Sequence, residues 1–218
     1  VSKVNNIGAV FQDCLVFNQP LNGWGDRVGT KKMMSTVSFG NIFQNARKFN
    51  QPLDNWDVGD IVNFASMFNQ AVDFNQDISG WDMSSAQTLN MMFRMPGSFN
   101  QPIGVWDTSE VVDMYRMFAA TGSTFDQDLS NWDFSKVTNF TEFMDGCTGL
   151  SPANYSKLLN KVNADTLTGT FTFVFGDFKW TKVGATSRAQ LLLDGNTIVD
   201  GGTTSYPATD FIFTITTT

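Results

Sequence analysis

The sequence contains no histidine, two cysteines and two glutamates, Glu110 and Glu142, in 218 residues. Without histidine, the Ser-His-Asp relay, the imidazole general base and the His-ligated metal centre are all excluded within this chain. Two cysteines, Cys14 and Cys147, do not make a disulfide framework. Charged residues amount to 16% of the chain, 14 Lys and Arg against 21 Asp and Glu, for a net charge of −7. Binding to phosphate backbones runs on neutralisation by Lys and Arg, so nucleic acid is not an expected partner. No apolar run approaches the roughly 20 residues a membrane-spanning helix needs, so no transmembrane segment is expected. What the chain has in quantity is aromatic residues, with 21 Phe and 6 Trp.

Those aromatics are periodic. Phe-Asn-Gln begins at Phe17, Phe49, Phe74 and Phe99, and Phe-Asp-Gln at Phe125, at spacings of 32, 25, 25 and 26. Each is followed four residues on by Leu or Ile (Leu21, Leu53, Ile78, Ile103, Leu129) and seven residues on by Trp24, Trp56, Trp81, Trp106 or Trp132. The longer first spacing places a seven-residue insertion between Gly25 and Ser38. Fixed periods of this kind signal a stacked repeat, in which each unit lends an apolar face to the next. After the Trp, apolar residues recur at intervals of three and four (Ile61, Phe64, Phe68, Ala71), which predicts a short helix in each unit. The Phe-Asn-Gln half reads as a short extended segment. Phe49, Phe74, Phe99, Trp56, Trp81, Trp106 and Trp132 are the expected core.

The repeat resembles that of mycoplasmal lipoproteins and of the BspA-like leucine-rich-repeat proteins found on bacterial surfaces. Trp56-Asp57, Ile61, Phe64, Met67-Phe68, Ala71 and Phe74-Asn75-Gln76 carry the likeness, as do Trp106-Asp107, Val111, Met114, Met117-Phe118 and Phe125-Asp126-Gln127. The resemblance implies an α/β fold: a right-handed leucine-rich-repeat-like solenoid of about 25-residue units with a β-rich C-terminal cap. Residues 1–150 are then the solenoid, 151–202 a cap of short helices and strands, and 203–218 a terminal strand or linker. In the cap, 184–191 reads as a helix and 196–202 as a strand and turn, while 211–216 reads as a further strand. Val1 to Ile7 match the stretch that begins two residues after a Trp, so the chain is expected to be a piece of a longer protein.

Recurrent polar columns read as structural first. Asp57, Asp82, Asp107 and Asp133 each follow a Trp and suit local capping of backbone amides. Calcium bridging between them is the weaker alternative. The insertion holds the densest basic cluster, Arg27, Lys31 and Lys32. With Asp77 and Asp128, which replace the Pro of other units, these are the candidate binding residues. No catalytic residue, metal ligand or cofactor is expected. The expected function is a non-enzymatic binding or adhesion module within a longer secreted or cell-surface protein, facing a protein or glycan. The alternative is a structural building block of a virion, tail fibre or extracellular filament, facing neighbouring subunits.

Overall fold

The computed structural model describes residues 7–24, 38–121, 124–165, 172–174 and 182–200. Residues 39–46 show how a unit is built. The Ile42 amide donates to the Phe39 carbonyl, Gln44 to Asn41, and Ala46 to Phe43, at 3.0 to 3.3 Å. Asn41 and Asn45 hold φ values of 62° and 57°. Positive φ at the third position of such a turn is the mark of type II geometry. Two of them, four residues apart, stop any helix from propagating. The pair recurs at Ser66 and Gln70, Met91 and Met95, Arg116 and Ala120, and Glu142 and Gly146.

Left-handed backbone costs an L-residue roughly 1–2 kcal/mol. Here it frees alternate amides to point along the stack. Phe39, Asn41, Phe43 and Asn45 donate to the carbonyls of Asn63, Ala65, Met67 and Asn69 in the next unit, at 2.7 to 2.9 Å. Phe64, Ser66, Phe68 and Gln70 do the same to Thr88, Asn90, Met92 and Arg94. Single parallel bridges join Ser38, Asn63, Thr88, Asp113 and Asn139 in sequence. Each unit is therefore one rung, and along this edge each rung donates to the one that follows it. Elsewhere the bonds run the opposite way, the Lys48, Asp73 and Gln87 amides donating to the Leu15, Arg47 and Val62 carbonyls of the preceding rung.

This architecture corrects the leucine-rich-repeat solenoid of α/β class expected above. No rung among the described residues contributes an α-helix, single 3₁₀ turns at Asn22–Trp24 and Ile103–Val105 being the helical backbone there, and none contributes more strand than one isolated bridge. Apolar spacing of three and four is produced by consecutive tight turns, each returning a side chain to the interior, as well as by a helix. The α-helices described are α1, Pro152–Ala164, and α2, Lys182–Leu193. Both lie beyond the repeats. The strands β1, Thr172–Val174, and β2, Thr197–Val199, pair in parallel as a two-stranded sheet. The C-terminal part is thus mainly helical in its described residues, rather than β-rich. The strand expected at 211–216 lies outside the described residues.

Aromatic rings fill the rungs. Phe43 and Phe49 stack within one rung at 3.9 Å between centroids, as do Phe68 with Phe74 at 3.9 Å and Phe93 with Phe99 at 4.0 Å. Between rungs the same rings stack at 5.6 to 6.0 Å, Phe43 on Phe68 and Phe49 on Phe74 on Phe99. Two columns of Phe run through the core, all fully buried from Phe43 onward. Trp56, Trp81, Trp106 and Trp132 are buried beside them. Each indole Nε1 donates to the Leu or Ile carbonyl of the preceding rung, at 2.9 to 3.2 Å. A buried Trp needs such a partner, and the period supplies one every time.

Asn and Gln form a second ladder. The Asn50 side-chain oxygen accepts from the Asn75 amide at 3.0 Å and from Gln76 Nε2 at 2.8 Å, and Asn75 serves Asn100 and Gln101 likewise. The ladder ends in α1. Asp126 accepts from the Ser151 amide and from Asn154 Nδ2, both at 2.8 Å. Ser151 is also the N-cap of α1, receiving the Asn154 amide. The helix thus begins where another Asn-Gln would sit, and closes this end of the stack. Tyr155 of α1 donates to Asp200, which also receives Arg188 of α2 at 2.8 Å. Gly184 lets α2 approach α1, since a Cβ there would lie 3.0 Å or less from Ser156.

Candidate binding face

The residues that could meet a partner follow from the bridge column. Ile61, Ala86, Val111 and Val137 are buried, and the next residues, Val62, Gln87, Val112 and Thr138, are exposed. Strand-like alternation sets this pattern at each bridge. The backbone beneath the exposed row is bonded from rung to rung. Gln87 and Thr88 amides donate to the Val62 carbonyl at 2.9 and 3.2 Å, and Val112 and Asp113 to that of Gln87 at 2.9 and 3.3 Å. Thr138 reaches the Val112 carbonyl by both its amide and its hydroxyl. Beside the row, Asn63, Thr88, Asp113 and Asn139 turn a side-chain oxygen onto the amide two residues ahead, at 2.8 to 3.3 Å. The result is a straight row of side chains, one per rung, about 4.8 Å apart along the bridges. Sequence reasoning missed it, because residue type varies along the row while its outward direction does not.

The acidic column caps its own turns. Asp57, Asp82, Asp107 and Asp133 accept from the amides of Gly59, Ser84, Ser109 and Ser135 at 2.8 to 3.3 Å. The Ser109 hydroxyl and amide hold the Asp107 carboxyl below the usual aspartate range, and Ser135 does the same for Asp133. Among the described residues, no group of three or more acidic or cysteine side chains is placed to hold a metal ion.

Of the binding residues read from sequence, Arg27, Lys31 and Lys32 lie outside the described residues. Asp77 accepts from the Ser79 amide at 2.9 Å, which with the Ser79 hydroxyl lowers its pKa. Asp128 takes the Ser130 amide at 3.0 Å and Lys157 Nζ at 2.6 Å. Burial pushes that carboxyl up, but Lys157 and Ser130 together carry it below the ordinary value. Asp77 and Asp128 stand at the same position of rungs two apart, with Pro102 in the rung between. The structure does not bring them together. Glu110 pairs with Lys136 and Glu142 with Arg116, each across one rung.

A model of the family described as "Mycoplasma protein of unknown function, DUF285" matches residues 1–37 and 37–157. The chain belongs to that family. Its description names neither a leucine-rich repeat nor a surface role, and the rungs lack the strand-plus-helix build of that repeat. The BspA-like, leucine-rich-repeat lipoprotein resemblance is corrected accordingly. No curated protein and no solved structure matches the chain. Among the described residues, no helix is long and apolar enough to cross a membrane.

Proposed function

We propose that this member of the family is a non-enzymatic binding module that engages a protein or glycan through the row Val62, Gln87, Val112 and Thr138. The observation that carries the reading is the rigidity of that row. Each of its backbone positions is bonded to a neighbouring rung, and its side chains vary between apolar and polar. A face ordered before contact loses little entropy on binding. Display outside the cell, on a cell surface or in a virion, belongs to the same proposal. A rigid face repeated at rung spacing suits an extended, repetitive partner.

The test is binding of the purified chain to arrays of matrix proteins and glycans. A Val62→Asp, Val112→Asp double variant should lose at least tenfold in affinity while its thermal melting stays within a few degrees. Full binding by that variant would end the proposal. The alternative is a building block of a fibre or virion, facing neighbouring subunits.

A further inference from the structure

Of the 21 Asp and Glu in the chain, seven fall in four short stretches, 57–63, 82–88, 107–113 and 133–139, and of the 14 Lys and Arg only Lys136 does. The net charge of −7 is thus concentrated on the part of each rung that carries Val62, Gln87, Val112 or Thr138. The carboxylates flank that row. Asp60 and Glu110 stand two residues before Val62 and Val112, and Asp113 directly follows Val112. Asp57, Asp82, Asp107 and Asp133 recur once per rung, five residues before the row. All are exposed except Asp113 and Asp133, which are half-buried. The bonds from Ser109 and Ser135 keep Asp107 and Asp133 ionised at neutral pH. The one aromatic ring in the four stretches, Phe134, is fully buried. An ammonium group already sits on this strip. Lys136 Nζ meets Glu110 Oε1 across one rung at 2.6 Å, with both side chains half exposed, and its charge also acts on Asp107 and Asp133.

We propose that the row and its flanking carboxylates form the docking surface of an extended protein segment rich in Lys and Arg, an inference that rests on the row being the binding face. A Lys or Arg side chain has two parts, and the surface has a place for each. The aliphatic stem packs along an exposed valine while the charged head stays hydrated beside a carboxylate. Val62 with Asp60, and Val112 with Glu110 and Asp113, supply that pairing. A strip of one sign speeds the encounter with a cationic partner and repels an anionic one. Sulfated or phosphorylated glycans and nucleic acid are therefore poor occupants. A neutral glycan finds no exposed ring in the four stretches on which to stack. Among the described residues, a divalent cation finds no group of three acidic ligands, and the recurrent Asp column is turned onto its own amides. Several cations carried along one chain match carboxylates spread over four rungs.

The probe is a fluorescein-labelled twelve-residue peptide of alternating Lys and Ser, read by fluorescence anisotropy against the full chain. It should bind, and its affinity should fall at least fivefold as salt rises from about 0.05 M to about 0.3 M. The matching Glu-Ser peptide and a neutral dextran should not bind. Asp60→Asn with Glu110→Gln should weaken the Lys-Ser peptide at least fivefold, while Asp73→Asn with Asp145→Asn, which removes the same charge elsewhere on the rungs, should leave it unchanged. Equal weakening by the two pairs would reduce the binding to general attraction and overturn the proposal, as would binding of the Glu-Ser peptide or dextran. Val62→Ser with Val112→Ser removes the apolar contact without adding charge and should cost at least threefold. Loss in the Asn-Gln variant with none in the serine variant would support the basic partner and end the row as its contact. Loss in the serine variant alone would keep the row and overturn the basic partner. Neutralising Arg27, Lys31 and Lys32 to Ser should leave the affinity unchanged. A tenfold gain there would make the chain's own insertion the occupant of the strip, and the proposal would fall.

Discussion

Rung one and the inner rungs carry the same residue types in the same phase, yet they differ in what those residues do. Phe93 is wholly buried, with Phe68, Phe99, Trp106 and Phe118 around it at centroid distances of 4.0 to 6.2 Å. Phe11 has the same position in its rung and is covered from one side by Phe43 at 5.6 Å. A rung in such a stack obtains its stability from both neighbours, so burial belongs to the interface and not to the residue. Breaking the comparison means showing that position in the stack does not matter.

Truncation of a core ring should test it most severely. Phe93→Ala is expected to cost about 3–5 kcal/mol, the range for deleting a fully buried ring. Phe11→Ala should cost less than half of that, because one side of the ring already faces water. Denaturant unfolding of the two variants measures the difference. Equal losses would mean that rung one is packed on both sides in solution.

Close backbone approach gives a smaller contrast. At Gly104, in the tight turn before Trp106, a Cβ would lie 2.0 Å from the Asp128 carbonyl oxygen of the next rung. Nothing stands within 4 Å of a Cβ at Gly23, beside Trp24 in rung one. Gly104→Ala must push two rungs apart and should cost about 1–3 kcal/mol, while Gly23→Ala should stay within about 0.5 kcal/mol. Differential scanning calorimetry of both variants checks this. A neutral Gly104→Ala would show that the ladder yields more easily than its bonding suggests.

The period itself was legible because each column must repeat one side chain in one environment. Phe49, Phe74 and Phe99 recur since the rings stack on one another, and Asn50, Asn75 and Asn100 since each oxygen must serve the next rung. Local backbone was not legible in the same way. Ile61, Phe64, Phe68 and Ala71 fit a helix, and the feature that rules one out is the positive φ at Ser66 and Gln70. Neither residue announces it, as glycine would, and at equivalent positions Met91 and Arg116 announce it less. Asx-type caps at Asp57 and Asp107 were readable from their spacing to the following small residue. The outward row at Val62 and Val112 was not, because nothing conserves its chemistry from rung to rung. The end of the ladder could have been found: Ser151 and Asn154 stand 25 and 28 residues after Asp126, close to the repeat's own step.

The finest version of the comparison lies in the two cysteines. Cys14 and Cys147 occupy the small position also held by Ala46 and Ala71, one in the first rung and one in the last, and neither is part of a disulfide. Cys147 is fully buried, and that burial, with a smaller push from Asp126, raises its thiol to about 11. A thiol whose folded pKa lies above the unfolded value of about 8.5 adds stability at neutral pH. That contribution is lost as pH rises from the unfolded value toward the folded one. The melting temperature of the natural chain should therefore fall more steeply above pH ~8.5 than that of Cys147→Ala, while at pH 7 the two differ by about 1 kcal/mol or less. In the folded protein at pH 8, iodoacetamide should mark Cys14 and leave Cys147 unmodified until denaturant is added. Equal labelling of the two thiols would place them in the same environment, and the difference in burial between Cys14 and Cys147 would disappear.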